Sequence, residues 1–145
     1  MKTKISLSNN KKLLLKNGKI LDITNGKTFN KDILIDGGKI VKLGKIENNN
    51  NYDVLDCKNC IITQPFIDIH THFQTPGIGD QETFISGSYA ALSGGYSKVS
   101  IMPNTNPVID NSELIDFIIN QASSLPIDIY PIGSITKKLE GIELA

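Results

Sequence analysis

The chain is 145 residues long and carries no formal net charge at pH 7, fifteen basic side chains facing fifteen acidic ones. That balance excludes a basic nucleic-acid groove and a polybasic membrane patch, and leaves a small neutral or anionic metabolite as the natural partner. All fifteen basic residues are lysines, so the usual bidentate clamp for carboxylates, arginine, is missing throughout.

The start, "MKTKISLSNNKKLLLKNG", is basic and reads as flexible. Its apolar run, Leu13 to Leu15, is too short for a signal-peptide core or a bilayer span, so a soluble cytoplasmic protein is expected. Residues 13 to 46 then alternate short apolar runs with glycine turns. Asn17-Gly18 and Asp36-Gly37-Gly38 carry the residue types that accept positive φ, and both predict hairpins. The polar tract Asn48 to Asn51 is a loop, after which "YDVLDC" and "CIIT" resume as strands. Cys57 and Cys60 form a single C-x-x-C without a second pair or a histidine at zinc-finger spacing, which reads as two reduced thiols near a turn. Residues 1–62 are therefore expected to be a small β domain.

From residue 63 the pattern changes. "FIDIH" predicts a strand, Glu82 to Ser93 a helix stopped by Gly94-Gly95, and "YSKVSIM" a second strand. "NSELIDFIINQAS" predicts an amphipathic helix with Leu114, Ile115, Ile118, Ile119 and Ala122 on one face, and Asp110 with Glu113 resembles a capping box. "IDIYPI" is a third strand, and "TKKLEGIELA" reads as the start of a further helical crossover. Strand and helix alternating at this spacing means βαβ units and a parallel sheet. An eight-fold barrel takes about 250 residues. Residues 63–145 therefore supply only the first three strands of such an α/β architecture, and a fragment or truncated gene product is expected.

The only two histidines lie in "FIDIHTHFQTPG". Strict strand alternation puts Asp68, His70 and His72 on one face and Ile67, Ile69 and Thr71 on the other. Imidazoles at i and i+2 can both reach one metal ion about 2 Å away, with Asp68 orienting a ring from behind them. The end of a strand entering a loop is where α/β barrels place chemistry. "MPNTNP", leaving the next strand, brings Asn104 to the same end of the sheet, where its amide could bind a carboxylate or carbonyl. As a turn sequence alone it needs no function.

Taken together, "FIDIHTHFQTPG", "QETFISGSYAALSGGYSKVSIMPNTNPVID" and "IDIYPIGSITKKLEGIELA" resemble the N-terminal part of a dihydroorotase, in the cyclic-amidohydrolase branch of the amidohydrolase superfamily. The resemblance runs from Leu13 to the end. It implies a small β domain preceding a metal-dependent (β/α)8 TIM-type barrel with one or two zinc ions, which activate water and polarise the amide carbonyl of dihydroorotate. The reverse reaction closes N-carbamoyl-aspartate in pyrimidine biosynthesis. It further implies His70 and His72 as metal ligands and Asn104 as a contact to the substrate carboxylate. The partners it implies are a small-molecule substrate, with homo-oligomers or association with another pyrimidine-pathway enzyme.

The chain departs from that pattern at Gln74, where the family carries an arginine for the substrate carboxylate. Glutamine offers neutral hydrogen bonds only, and charge-assisted bonds are roughly twice as strong. Thr75 stands where an acidic residue is common, and Gln64-Pro65 replaces the usual Pro-Gly. The family's other histidine ligands and its catalytic aspartate come from later strands, so no catalytic residue is expected within this chain, and the 145 residues alone are expected to be inactive. Two other readings follow from Gln74: a non-catalytic partner of another pyrimidine-pathway enzyme, and a hydantoinase- or allantoinase-type cyclic amidase.

Overall fold

The structure, a computed structural model, describes residues 12–77 and 82–145. The expected flexible start lies outside the described residues through residue 11. The chain divides into two compact units, Met1–Gln64 and Pro65–Ala145.

Among the described residues the first unit holds seven strands: β1 (Lys12–Lys16), β2 (Lys19–Asp22), β3 (Lys27–Asn30), β4 (Asp32–Asp36), β5 (Lys39–Gly44), β6 (Tyr52–Asp56) and β7 (Ile61–Ile62). They form a four-stranded sheet in the order β5-β4-β1-β6 and a three-stranded sheet in the order β3-β2-β7. The expected hairpin at Asp36-Gly37-Gly38 is present: β4 and β5 pair antiparallel, and both glycines adopt positive φ, 54° and 75°. At Asn17-Gly18 the expectation fails. Asn17 does take positive φ, 63°, but β1 pairs with β4 and β6 while β2 pairs with β3 and β7. The turn hands the chain from one sheet to the other, because a β1–β2 hairpin would compete with the Leu13–Leu15 ladder to β4. Leu14 is fully buried and packs with Leu34, Ile46 and the half-buried Tyr52. The buried Asp32 carboxylate accepts hydrogen bonds from the backbone N–H groups of Asn17 and Ile46, at 3.2 and 3.0 Å, so its burial is compensated. Cys57 is buried and its thiol is pushed above its ordinary pKa by desolvation, whereas Cys60 is exposed. A thiol held protonated is a poor nucleophile.

The second unit runs strand–helix–strand–helix–strand: β8 (Phe66–Thr71), α1 (Phe84–Ser93), β9 (Tyr96–Ile101), α2 (Ser112–Ala122) and β10 (Asp128–Pro131). All three strands are parallel, in the order β10-β9-β8. Their helix-facing side makes the core, with Val99, Ile101 and Ile129 of the sheet packed with Phe84, Ile109, Ile118 and Ile127. Helix α1 starts at an N-cap, Thr83, whose side chain accepts from the Ser86 N–H while Ser86 bonds back to the Thr83 N–H, a reciprocal box one turn long. Helix α2 is capped by Asn111, which accepts from the Leu114 N–H at 3.0 Å, rather than by the expected pair Asp110 and Glu113. Asp110 is engaged elsewhere, accepting from the Lys138 backbone N–H at 2.9 Å and from the Asn111 side-chain amide. Of the predicted face of α2, Ile118 and Ala122 are buried and Ile115 packs against them, while Ile119 remains half exposed.

"TKKLEGIELA" does not begin a helical crossover. It makes one 3-10 turn, Lys137–Leu139, with Lys138 and Leu139 at positive φ, and folds back through a bridge between Thr136 and Leu144 and an ion pair between Lys137 and Glu143. Gly141, at φ 72°, donates its N–H to Thr136 Oγ1 and stops helical propagation. No helix of the described residues is long and apolar enough to cross a membrane.

One contact sets how closely α1 approaches the chain beyond β8. A Cβ at Gly87 would lie 2.5 Å from the buried Phe73 ring, so the helix reaches the chain just beyond β8 only because residue 87 has no side chain. Alanine in a helix normally gains up to about 1 kcal/mol over glycine, but overpacking a filled site costs about 1–3 kcal/mol. Gly87→Ala is expected to lower the urea midpoint of the second unit; an unchanged or raised midpoint would show that the ring yields.

Candidate metal centre

The geometry at the end of β8 is set by its register against β9. Ile67 pairs with Lys98 and Asp68 with Val99, but the next pair is Thr71 with Ile101. Three residue steps on β8 thus match two on β9, which is a bulge of one residue between Asp68 and Thr71. Paired residues in a parallel ladder share a face, so Asp68 and Thr71 both lie with the buried Val99 and Ile101, on the helix side. Asp68, Thr71, Phe73 and Val99 accordingly line one recess together with α1 residues. The extra residue breaks the strict alternation that would group Asp68 with the histidines. The Asp68 carboxylate accepts from the His70 backbone N–H at 3.0 Å, closing the bulge through the main chain and not through a ring.

From within the bulge and just past it, His70 and His72 turn to each other. Their Nε2 atoms are 3.2 Å apart and the rings are tilted by 59°. Both side chains are exposed, as a site facing solvent requires. Two imidazole nitrogens each about 2.0–2.1 Å from a tetrahedral zinc lie about 3.3 Å apart, so the pair fits two corners of such a site. Among the described residues no group of three or more His, Cys, Asp or Glu side chains could hold a metal ion, so the described residues bring two donors together here.

The neighbouring strand supplies the third element. Thr71 Oγ1 donates to Ser100 O at 2.8 Å and the Met102 N–H donates to Thr71 O at 2.9 Å, which brings the ends of β8 and β9 level. Asn104 then reaches across, its Oδ1 3.0 Å from His72 Nδ1. Gln74 is half buried; its backbone N–H donates to Glu82 O at 2.9 Å, and its side-chain amide has no protein partner among the described residues. The loops that follow the two strands are laced together. Asn106 N–H donates to Pro76 O at 3.2 Å, and Gly77, at φ 146°, has its α-carbon so placed that a Cβ would meet Gln74 O at 3.0 Å and Asn106 O at 3.3 Å.

All the residues singled out from the sequence near this strand end, His70, His72, Gln74 and Asn104, therefore come from the C-terminal ends of adjacent parallel strands and the loops leaving them. Asp68 comes to the opposite face. Thr71 and Met102 align the strand ends; a threonine in a strand and an apolar Met102 bonded through its backbone are too ordinary to have marked them beforehand.

Helices covering one side of a parallel sheet, with polar side chains gathered where its strands end, define the class: the second unit is the first three strands of a (β/α)8 barrel preceded by a small β unit. Solved structures with this fold include the L-hydantoinase (dihydropyrimidinase) from Arthrobacter aurescens, matched with a TM-score of 0.72 at 20% identity over 86% of this chain and 28% of that one. A D-hydantoinase structure matches with a TM-score of 0.69 at 29% identity, over 88% of this chain and 29% of that one. The Dihydro-orotase-like family model matches residues 59–145, and the chain belongs to that family. It is 40% identical over 133 residues to a dihydroorotase of Clostridium acetobutylicum, covering 91% of this chain and 31% of the relative. It is 38% identical over 135 residues to a dihydroorotase of Aquifex aeolicus, covering 92% of this chain and 32% of the relative. The chain thus spans about a third of the length of these relatives.

The laced loops give a test. Alanine at residue 77 must adopt a φ that side chains rarely take and press on two carbonyl oxygens, a strain of about 1–3 kcal/mol. Gly77→Ala is expected to destabilise the second unit by that amount and to shift the imidazole NMR signals of His70 and His72; unmoved signals would mean the loops do not set the ring positions.

Proposed function

We propose that this chain supplies the first barrel strands, two metal ligands and part of the substrate pocket of a zinc-dependent cyclic amidohydrolase that interconverts dihydroorotate and N-carbamoyl-aspartate in pyrimidine synthesis. The observation that carries the reading is the pair of Nε2 atoms 3.2 Å apart beside Asn104, in a chain about 40% identical to a dihydroorotase. A zinc ion bound there would lower the pKa of water and polarise the scissile carbonyl. The chain's own residues bind and orient: His70 and His72 offer nitrogen lone pairs, and the Gln74 and Asn104 amides offer neutral donors to the substrate carboxylate. Zinc takes three or four protein ligands, and among the described residues no other group that could act as general acid or base is bonded to the rings of the two histidines. The 145 residues alone are therefore read as inactive, and a working site as needing further strands.

Gln74 favours a second reading, a hydantoinase-type cyclic amidase whose substrate presents no carboxylate at that point. The same position suits a non-catalytic partner in a pyrimidine-pathway assembly, where the scaffold matters and turnover does not.

The test joins this chain to the C-terminal two thirds of the Clostridium acetobutylicum dihydroorotase and assays the fusion with zinc on dihydroorotate, hydantoin and allantoin. Turnover of dihydroorotate, abolished by His70→Ala and absent from the 145-residue chain, is expected. Preference for hydantoin would move the reading to the cyclic amidases, and a folded, zinc-loaded fusion with no turnover of any of the three would sink the enzyme reading. In the fusion, Gln74→Arg is expected to tighten dihydroorotate binding by about 1–3 kcal/mol, the worth of a charged hydrogen bond; unchanged KM would show that residue 74 does not touch the carboxylate.

A further inference from the structure

We infer that Asn104 is a positioning residue for His72, its side-chain carbonyl holding the ring in the Nδ1–H form so that the Nε2 lone pair faces the gap between the two histidines. The inference deepens the metal reading of His70 and His72 and rests on it.

A neutral imidazole carries one proton on two nitrogens, and the partner of one nitrogen decides the state of the other. The Asn104 Oδ1 atom, 3.0 Å from His72 Nδ1, is a carbonyl oxygen and can only accept. The proton must therefore sit on Nδ1, which leaves Nε2 bare. That nitrogen faces His70 Nε2 at 3.2 Å. Two lone pairs would repel at that distance, so without metal His70 donates from its own Nε2–H. Its Nδ1 has no protein partner among the described residues, so the His70 proton can move to that outer nitrogen when Nε2 is needed as a ligand. The pair is asymmetric: His72 is preset and His70 adapts. Outer partners of this kind orient a ligand ring, and their loss typically costs 10–100-fold in metal affinity. While Oδ1 is held by His72, both Nδ2 protons of Asn104 remain free to donate, so one amide can orient the ligand and still meet an anionic group.

The experiment uses the full 145-residue chain with 15N-labelled histidine, at a pH above the imidazole range, and reads the ring tautomers from long-range 1H–15N spectra without metal. Titration with zinc chloride follows on the fusion to the C-terminal two thirds of the Clostridium acetobutylicum dihydroorotase, because two histidines alone leave the site short of ligands. In the unsubstituted chain His72 should show the Nδ1–H pattern. Asn104→Ala should shift His72 toward the Nε2–H form that free side chains favour and weaken zinc binding about 10-fold or more, with the unfolding midpoint unchanged. Asn104→Asp, which keeps the acceptor, should keep the tautomer and bind zinc at least as well. An unchanged His72 tautomer in Asn104→Ala, or equal loss in both variants, overturns the inference. If the unsubstituted fusion takes up no zinc while Asn104→Ala still switches the tautomer, the positioning role stands and the metal reading falls. Zinc uptake indifferent to Asn104→Ala does the reverse.

Discussion

The candidate centre depends on one extra residue in the ladder between β8 and β9. Because Asp68 pairs with Val99 and Thr71 with Ile101, the strand reverses the phase of its side chains just before it ends. Without that step, a strand that presents Asp68 to the helix layer would present His70 and His72 there too, under α1 and away from solvent. With it, Asp68 and Thr71 stay on the covered face while both rings emerge where the sheet ends. The Asp68 carboxylate bonded to the His70 N–H occupies the main-chain donor that the bulge removes from the ladder. The aspartate thus acts on the backbone that carries His70, and its substitution should be felt as a change in ring position before any change in charge.

What holds the bulge is packing on the far side. Phe73 lies one residue past His72 and is buried against α1 at Gly87, so the chain is pinned on both sides of the histidine by groups that face the core. Thr71 is pinned likewise through Ser100 and Met102. The rings themselves remain exposed. Rigidity at His72 therefore comes from its core-facing neighbours at i−1 and i+1, the half-buried Thr71 and the buried Phe73, an arrangement that keeps the ring open to solvent yet ordered.

Much of this was legible in the sequence, for physical reasons that differ by element. The parallel βαβαβ order followed from apolar runs and helix-period stripes, and the family from the joint presence of the H-x-H strand and "MPNTNP". Three features were not legible. The Asp68 face was misplaced because a bulge leaves no mark in composition, only in pairing. Asn17-Gly18 has hairpin chemistry, yet the partner of β1 is chosen by the Leu13–Leu15 ladder to β4, a long-range preference that no turn encodes. The C-terminal "TKKLEGIELA" has helix-forming residues, but an Asp110 carboxylate recruited to the Lys138 N–H and a Gly141 in positive φ stabilise a folded-back loop instead. In that case a side chain expected to cap α2 serves the next strand's loop, and Asn111 takes over the cap.

The absent arginine reshapes how a substrate carboxylate would be met. Within the second unit the lysines are Lys98, Lys137 and Lys138. Lys137 is paired with Glu143. Lys98 lies on the open face of the sheet, but its ammonium is held by Tyr130 and Asp128, at 3.4 and 3.5 Å, and that hydrogen bond to Tyr130 raises its pKa. It also stands four residues before Met102, roughly 13 Å down the strand at about 3.3 Å per residue, beyond a lysine's reach to Asn104. The amides of Gln74 and Asn104 are donors at the strand ends themselves, and neutral amides hold a carboxylate about half as strongly as a guanidinium does. Such a pocket gives up selectivity for charge before it gives up selectivity for shape. In the proposed cyclic amidohydrolase, discrimination between a carboxylated ring and an uncarboxylated one would therefore rest on the geometry of the Asn104 amide, bonded to His72, more than on residue 74.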